Sequence, residues 1–358
     1  MNYLSADGLS KTFADKPLFK DLSFSRERGQ KSGLIGINGS GKSTLLKILA
    51  GLETPDVGSV TIRSGITIGY LGQDPQFIAK NTVSEHVFGS NNRLLKIIKN
   101  YEEAIINHAD ENKLSHAISE MDANKAWDYE QRIKQILSRL GITELTQKMG
   151  ELSGGQVKRV AMAQVLIEEP DLLIMDEPTN HLDPDMIEWL ESYLSTQATT
   201  IVMVTHDRYF LDNVATNIYE LDNGKIFGYK GNYEYFLEKK SEREAVSEAE
   251  FEKSQNILRR ELEWVRRQPK ARGTKSKSRL DAYEQLKNKV SGKRKQDKLI
   301  LDVKHTRLGG KILELKHIYK TFSEKKIIHN FTYTFRTGER IGIVGKNGTG
   351  KTTFLNVI

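Results

Sequence analysis

The chain has 358 residues, 38% of them apolar and 28% charged, with a mean hydropathy of −0.51; that suits two or three ordinary domains and is too apolar for disorder. Cysteine is absent, which excludes disulfides, thiolate metal sites and cysteine nucleophiles, and no run reaches the roughly 18–20 uninterrupted apolar residues of a membrane span. The formal charge is +7, yet residues 266–298 alone hold 13 Lys or Arg against 3 Asp or Glu, so one segment supplies the whole basic excess and marks a polyanion contact.

In chain order, residues 1–7 show neither the basic nor the apolar region of a signal peptide, so a cytoplasmic protein without a membrane partner is expected. Leu34-Ile35-Gly36-Ile37 reads as a short buried strand, and residues 43–49 read as a helix after a glycine-rich turn. From 84 to 140 the pattern is helical, with Leu94, Leu95, Ile97, Ile98, Tyr101, Ala104 and Ile105 near helical spacing. Leu172-Leu173-Ile174-Met175 and Ile201-Val202-Met203-Val204 are continuous apolar runs of strand length. Strands buried on both faces and alternating with helices predict an α/β core around a parallel sheet.

Residues 233–298 read as a helical hairpin. Leu258, Leu262 and Val265 form one apolar stripe, Leu280, Tyr283, Leu286 and Val290 another, and Pro269 and Gly273 break the helix between them. The first limb is acidic on balance, with 8 Glu against 6 Lys or Arg over 238–263, whereas the turn and second limb are basic. The plain alternative is a solvated coiled linker.

The chain also repeats itself. Leu9-Ser10-Lys11-Thr12-Phe13 matches Ile318-Tyr319-Lys320-Thr321-Phe322 at an offset of 309 residues, and the same offset takes Gly29 to Gly338, Gly36 to Gly345, Gly39 to Gly348, Gly41 to Gly350 and Lys42 to Lys351. One full module is therefore followed by the opening of a second copy.

Gly36-Ile37-Asn38-Gly39-Ser40-Gly41-Lys42-Ser43-Thr44 contains G-x-x-x-x-G-K-[ST] directly after a strand and at the start of a helix, the context a phosphate-binding loop requires. Its glycines let backbone N–H groups close around phosphate oxygens, and the helix N-terminus favours negative charge. Lys42 would neutralise the β- and γ-phosphates of ATP, and the Ser43 hydroxyl would ligate Mg²⁺. Asp176 and Glu177 follow a buried strand; Asp176 would hold the Mg²⁺ shell and Glu177 would polarise the attacking water. Alone, such a pair is no more than a solvated strand end, but beside a phosphate loop each supports the other.

Leu152-Ser153-Gly154-Gly155-Gln156, a serine and two glycines before a helix, makes a second anion nest. This run resembles the signature motif of ATP-binding-cassette (ABC) ATPases. The resemblance implies that Ser153, Gly154, Gly155 and Gln156 cap the γ-phosphate of a nucleotide held by an opposing cassette. It further implies that Gln73 is the Q-loop glutamine contacting Mg²⁺ and water, Asp183 the D-loop aspartate, His206 the switch histidine at the γ-phosphate, and Phe13 the aromatic stacked on adenine. The implied fold is an ABC-type P-loop domain: a RecA-like parallel-sheet core with an antiparallel β subdomain and a helical subdomain, plus an α-helical hairpin linker.

Thr179-Asn180-His181-Leu182-Asp183, Val204-Thr205-His206-Asp207-Arg208-Tyr209-Phe210-Leu211-Asp212, Gly231-Asn232-Tyr233 and Glu263-Trp264-Val265-Arg266-Arg267-Gln268-Pro269-Lys270-Ala271-Arg272 are similar to segments of the ABC-F branch, most of all its Uup- and EttA-like bacterial members. Three regions follow: a first cassette at 1–230, with a helical arm and signature insertion at about 80–165; a hairpin linker at 231–311, with a basic tip at about 266–279; and the start of a second, truncated cassette at 312–358. The branch implies a translation or ribosome-protection ATPase whose linker reaches ribosomal RNA and P-site tRNA. Arg266, Arg267, Lys270, Arg272, Lys275, Lys277 and Arg279 are the expected phosphate contacts. A Uup-like ATPase acting on DNA and the ATPase subunit of a transporter are the rival readings. Trp264 and Tyr283 lie near the helical stripes, so packing rather than base stacking is their expected use.

The second loop comprises Gly345, Asn347, Gly348, Gly350, Lys351 and Thr352, and the chain continues for only six residues beyond it. Without a second Q-loop, signature, Asp-Glu pair or switch histidine, the chain is expected to bind ATP yet hydrolyse it poorly unless two chains pair their first cassettes. Residues 310–358 are expected not to complete a core by themselves and to be loosely held.

Overall fold

A computed structural model describes all residues except 15, 90–92, 107–110, 267–276, 292–310, 323–324 and 346–347. The chain divides into two compact units, Met1–Phe236 with Val344–Lys351 and Leu237–Ile343 with Thr352–Ile358. The first begins with β1 (Asn2–Phe13), β2 (Lys16–Glu27), β3 (Lys31–Gly36), α1 (Lys42–Leu49), β4 (Val57–Ile62) and β5 (Ile68–Leu71). A helical stretch follows, α2 (Val83–Val87), α3 (Arg93–Ile106), α4 (Glu111–Ala123), α5 (Trp127–Arg139) and α6 (Gly154–Ile167). Then come β6 (Leu172–Asp176), α7 (Pro184–Thr196), β7 (Thr200–Val204), α8 (Arg208–Val214), β8 (Asn217–Asp222) and β9 (Lys225–Lys230).

Two sheets result. β2-β1-β4 is antiparallel, and β5-β6-β7-β3-β8-β9 is parallel throughout except for its last, antiparallel pair. The apolar runs at 172–175 and 201–204 lie in β6 and β7, both buried along their whole length. Because strand side chains alternate, Leu172 and Ile174 join a core that contains Leu4, Leu9, Leu22 and the α1 residues Leu45 and Leu49, whereas Leu173 and Met175 join the core of the helical stretch. Helix α1 is thereby held against both sheets, with the glycine-rich loop at its head.

The helix starts have local causes. Thr82 and Glu85 form a capping box before α2, Ser153 and Gln156 form one before α6, Asp183 caps α7 with Pro184 at its first position, and Asp207 caps α8. The helical reading of 84–140 holds, as α2 to α5 among the described residues. Leu95, Ile97 and Ile98 are buried as their spacing predicts, but Ile105 is exposed: it lies in the last turn of α3, past the residues that reach the core.

The second unit carries α9 (Tyr233–Arg266) from Leu237 on, α10 (Lys277–Ser291), the antiparallel pair β10 (Lys311–Phe322) and β11 (Lys325–Arg336), and α11 (Lys351–Val357) from Thr352 on. Both predicted stripes of the helical pair are half-buried, while Arg266 and Lys277 are exposed. Arg279 on α10 makes two 2.8 Å hydrogen bonds to the Glu261 carboxylate on α9, and its guanidinium lies 4.1 Å over the Trp264 ring. Trp264 is therefore a packing surface, and Arg279, expected on phosphate, is already engaged within the hairpin. Arg267, Lys270, Arg272 and Lys275, with the helix break at Pro269 and Gly273, lie outside the described residues. Around the second copy, the β10–β11 pair and α11 form, whereas 341–345 makes no strand and Ile341, Ile343 and Val344 are exposed.

Candidate nucleotide site

The loop after β3 is built from local constraints. Gly39 and Gly41 take φ of 76° and 97°, values that L-residues with a Cβ rarely adopt. A Cβ on Gly41 would also lie 2.9 Å from the Leu18 Cβ. The loop curls back so that Lys42 Nζ donates to the carbonyls of Gly36 (2.8 Å) and Ile37 (3.1 Å). Burial holds the Lys42 pKa below its ordinary value, against the opposing pull of Glu177 and Asp176.

An open cleft of about 600 Å³ lies at this loop. It brings together Phe13, Asn38, Gly39, Gly41, Lys42, Ser43, Thr44, Gln73, Asp176, Glu177 and His206, eleven of the residues expected at an ATP site. Gly36 and Ser40, also expected at the site, belong to the same loop but do not line the cleft. Phe13 is 72% exposed at the end of β1, available to a flat ligand. Ser43, Gln73 and Asp176 supply a hydroxyl, an amide and a carboxylate, the hard oxygen donors that suit Mg²⁺. Among the described residues, the buried Ser40 hydroxyl has no hydrogen-bond partner, and backbone N–H groups sit at the N-terminus of α1. The residues present thus fit a magnesium–triphosphate.

Glu177 is gripped from several sides. Its φ is +50°, a strained conformation for a residue with a long side chain, which turns the chain out of β6. Its N–H donates to Val204 O (2.8 Å), and its carbonyl accepts from Asn180 N–H (3.3 Å) and from Lys158 Nζ (2.6 Å). Its carboxylate accepts from His206 N–H at 3.3 Å, and the other carboxylate oxygen lies 3.5 Å from His206 Nε2. Burial raises the Glu177 pKa above the ordinary carboxylate value and Asp176 adds to that, while His206 and Lys158 oppose it. Such a carboxylate is suited to accept a proton. The His206 loop is itself fixed: the Asp207 carboxylate accepts from Tyr209 N–H (3.1 Å) and Phe210 N–H (3.2 Å).

Among the described residues, no part of Ser153, Gly154, Gly155 or Gln156 lines this cleft. Ser153 and Gln156 instead complete the capping box of α6, with Ser153 N–H donating to the Gln156 side chain at 2.9 Å. A Cβ on Gly155 would come within 3.5 Å of His181, so the motif sits beside the Asp183 turn. Asp183 accepts from Met186 N–H at 3.1 Å as the cap of α7. In the second copy, Lys351 Nζ donates to Gly345 O at 2.6 Å, and Gly348 and Gly350 take φ of 78° and 99°; Asn347 lies outside the described residues.

The sequence did not single out Asn180 and Leu18, which also line the cleft, or Lys158. Asn180 stands in a motif quoted only for its family likeness. Lys158 is 2% exposed, and nothing in the local sequence separates it from a surface lysine.

A family profile described as ABC transporter matches residues 19–180 and 328–358, and a second with the same description matches 219–300. The ABC transporter ATP-binding protein YfmR of Bacillus subtilis is 46% identical over all of this chain and 58% of its own length. The energy-dependent translational throttle protein EttA of Mycobacterium tuberculosis is 38% identical over 97% of this chain and 64% of its own, and that of Escherichia coli 35% over 95% and 63%. The chain thus spans about six-tenths of the length of these relatives. On these matches, the chain belongs to the ATP-binding-cassette family, in its ABC-F branch.

Proposed function

We propose that the first cassette binds Mg–ATP in this cleft and hydrolyses it, and that the chain uses the cycle to engage and release the ribosome in the cytoplasm. The carrying observation is the convergence of Lys42, Ser43, Gln73, Asp176, Glu177 and His206 on one cleft, with the Glu177 carboxylate held beside the His206 ring. Bound Mg²⁺ would supply charge neutralisation at the phosphates. Ser43, Gln73 and Asp176 would hold the ion, Lys42 and the loop N–H groups would take the phosphates, and Phe13 would take the base. Glu177 would accept a proton from the attacking water, with His206 orienting its carboxylate. Because the signature motif lies away from its own cleft, a second cassette has to bring Ser153 and its neighbours, or their counterpart, to the nucleotide.

The regions at 1–230, 231–311 and 312–358 are the proposed cassette, linker and second cassette. The basic stretch at the hairpin turn would contact RNA phosphates, a reading supported by the relatives named as translational throttles. The test uses the full-length protein and Glu177→Gln. The variant should keep its affinity for Mg–ATP within about threefold and lose on the order of 100-fold or more in turnover, and it should sediment with ribosomes when ATP is present. If about six linker cations meet phosphates, retention falls on the order of 10³-fold between 50 and 200 mM salt. Unchanged turnover removes Glu177 as the base; retention on duplex DNA but not on ribosomes overturns the partner.

A further inference from the structure

Lys158 is a buried lysine within the field of the Asp176, Glu177 and Asp74 carboxylates. It stands one turn into α6, five residues after the signature serine, and is 2% exposed. Placing an ammonium in such a site costs several kcal/mol in desolvation, and an apolar residue of similar volume generally serves stability as well or better. Its ammonium donates to the carbonyl of Glu177 at 2.6 Å. That carbonyl is also the acceptor for Asn180 N–H at 3.3 Å, so one oxygen ties together the helix that begins with Ser153, the residue read as the base, and the turn that brings Asn180 to the cleft.

The backbone of Glu177 explains why the carbonyl needs such a partner. With φ at +50° the residue leaves the β6 ladder, in which its N–H still reaches Val204 O. Its C=O accepts from Asn180 N–H only at 3.3 Å, so Lys158 Nζ at 2.6 Å is the shorter of its two donors, and a buried carbonyl gains from a charged donor. The Val204 bond fixes Glu177 on one side and the Lys158 bond on the other, and the direction of its carboxylate toward His206 follows from both. Lys158 is carried by α6, so a displacement of the signature end of that helix pulls on the Glu177 carbonyl.

We propose that Lys158 is a positioning residue for hydrolysis: it holds the Glu177–Asn180 turn in its strained conformation and passes the position of the signature helix to the base of the same cassette. The proposal rests on Glu177 being that base.

The test compares Lys158→Met, which keeps volume and loses the donor, with Lys158→Arg, which keeps it, in the full-length protein. For the Met variant kcat should fall at least tenfold while KM and the affinity for Mg–ATP stay within about twofold. The Arg variant should recover to within about threefold of the parent. Without any nucleotide, amide exchange at Glu177 and Asn180 should speed up at least tenfold in the Met variant, with Leu173 and Met175 of the same strand unchanged. Turnover within threefold of the parent, an unchanged exchange pattern, or a loss shared equally between kcat and affinity would each overturn the assignment. If the Met variant does not fold, Lys158→Gln replaces it, since its polar head stops short of the carbonyl, and the same outcomes apply. A parent that binds no Mg–ATP would end the ATPase reading, while the exchange measurement still decides whether Lys158 holds the turn.

Discussion

The chain folds one stretch of sequence twice, 309 residues apart, and the two copies agree and diverge in instructive places. Every paired residue of β1 and β2 has its counterpart in β10 and β11 at the same offset: Asn2 with Glu27 and Lys311 with Arg336, Leu9 with Leu22 and Ile318 with Phe331, Phe13 with Lys16 and Phe322 with Lys325. The irregularities in register recur too, as does the positive φ of Asp21 (54°) at Asn330 (51°). Both phosphate loops close with the lysine donating to the carbonyl of the first glycine. The strand that leads into the loop differs. Residues 31–36 form β3 between β7 and β8, whereas 341–345 form none. A hairpin and a glycine-rich loop carry their own hydrogen bonds and form from local sequence; a central parallel strand exists only when its neighbours supply the ladder.

The largest expected effect separates the two loops by chemistry. Lys42 shares its cleft with Asp176, Glu177 and His206, and these 358 residues hold no counterpart of those three for Lys351. In this chain Lys42→Ala should weaken Mg–ATP binding on the order of 100-fold, because it removes the cation proposed to meet the β- and γ-phosphates, and Lys351→Ala should change it less than threefold. Equilibrium dialysis with a labelled nucleotide reads both. Equal losses would mean that the loop alone binds and that the converging side chains add little.

The next separates the copies by packing. Leu34 is 3% exposed in β3, and its counterpart Ile343 is 40% exposed. Leu34→Ala should cost about 2–5 kcal/mol, the usual range for emptying a core position, and Ile343→Ala should stay within about 0.5 kcal/mol, both from urea unfolding. A large cost at Ile343 would show that the second strand is packed after all.

The same division between local and distant determinants explains what could be read from the sequence. The phosphate loop, the buried strands ending at Asp176 and Val204, and the helical pair at 233–291 were legible because each is written in contiguous residues: glycines before Lys42, apolar runs of strand length, stripes at helical spacing. Glu177 was legible as one of two acids closing a buried strand beside a phosphate loop, whereas the convergence of Gln73 and His206 on Lys42 came from family likeness, since strand order across the sheet leaves no local trace. Lys158 was missed because a basic residue near a helix start reads as exposed until β6 is placed beside it. Arg279 was assigned to phosphate because its charge is visible, while its partner Glu261 lies 18 residues away across the helix pair. The exposure of Ile105 depends on where α3 runs out of core, which spacing does not specify.

The smallest expected effect tests the claim that the hairpins are locally complete. Gly8 N–H donates to Ser23 Oγ at 2.8 Å, and at the matching place His317 N–H donates to the Thr332 hydroxyl at 3.0 Å. Both bonds join residues of one strand pair, so neither depends on the six-stranded sheet that only the first copy possesses. Ser23→Ala and Thr332→Val should therefore each cost about 0.5–1 kcal/mol, the ordinary net value of such a bond, and by similar amounts. Amide exchange at Gly8 and His317, compared with the parent, measures each opening separately. A bond worth several times more in the first copy than in the second would mean that the large sheet stiffens the hairpin attached to it, and the hairpin would then not be an autonomous element in either copy.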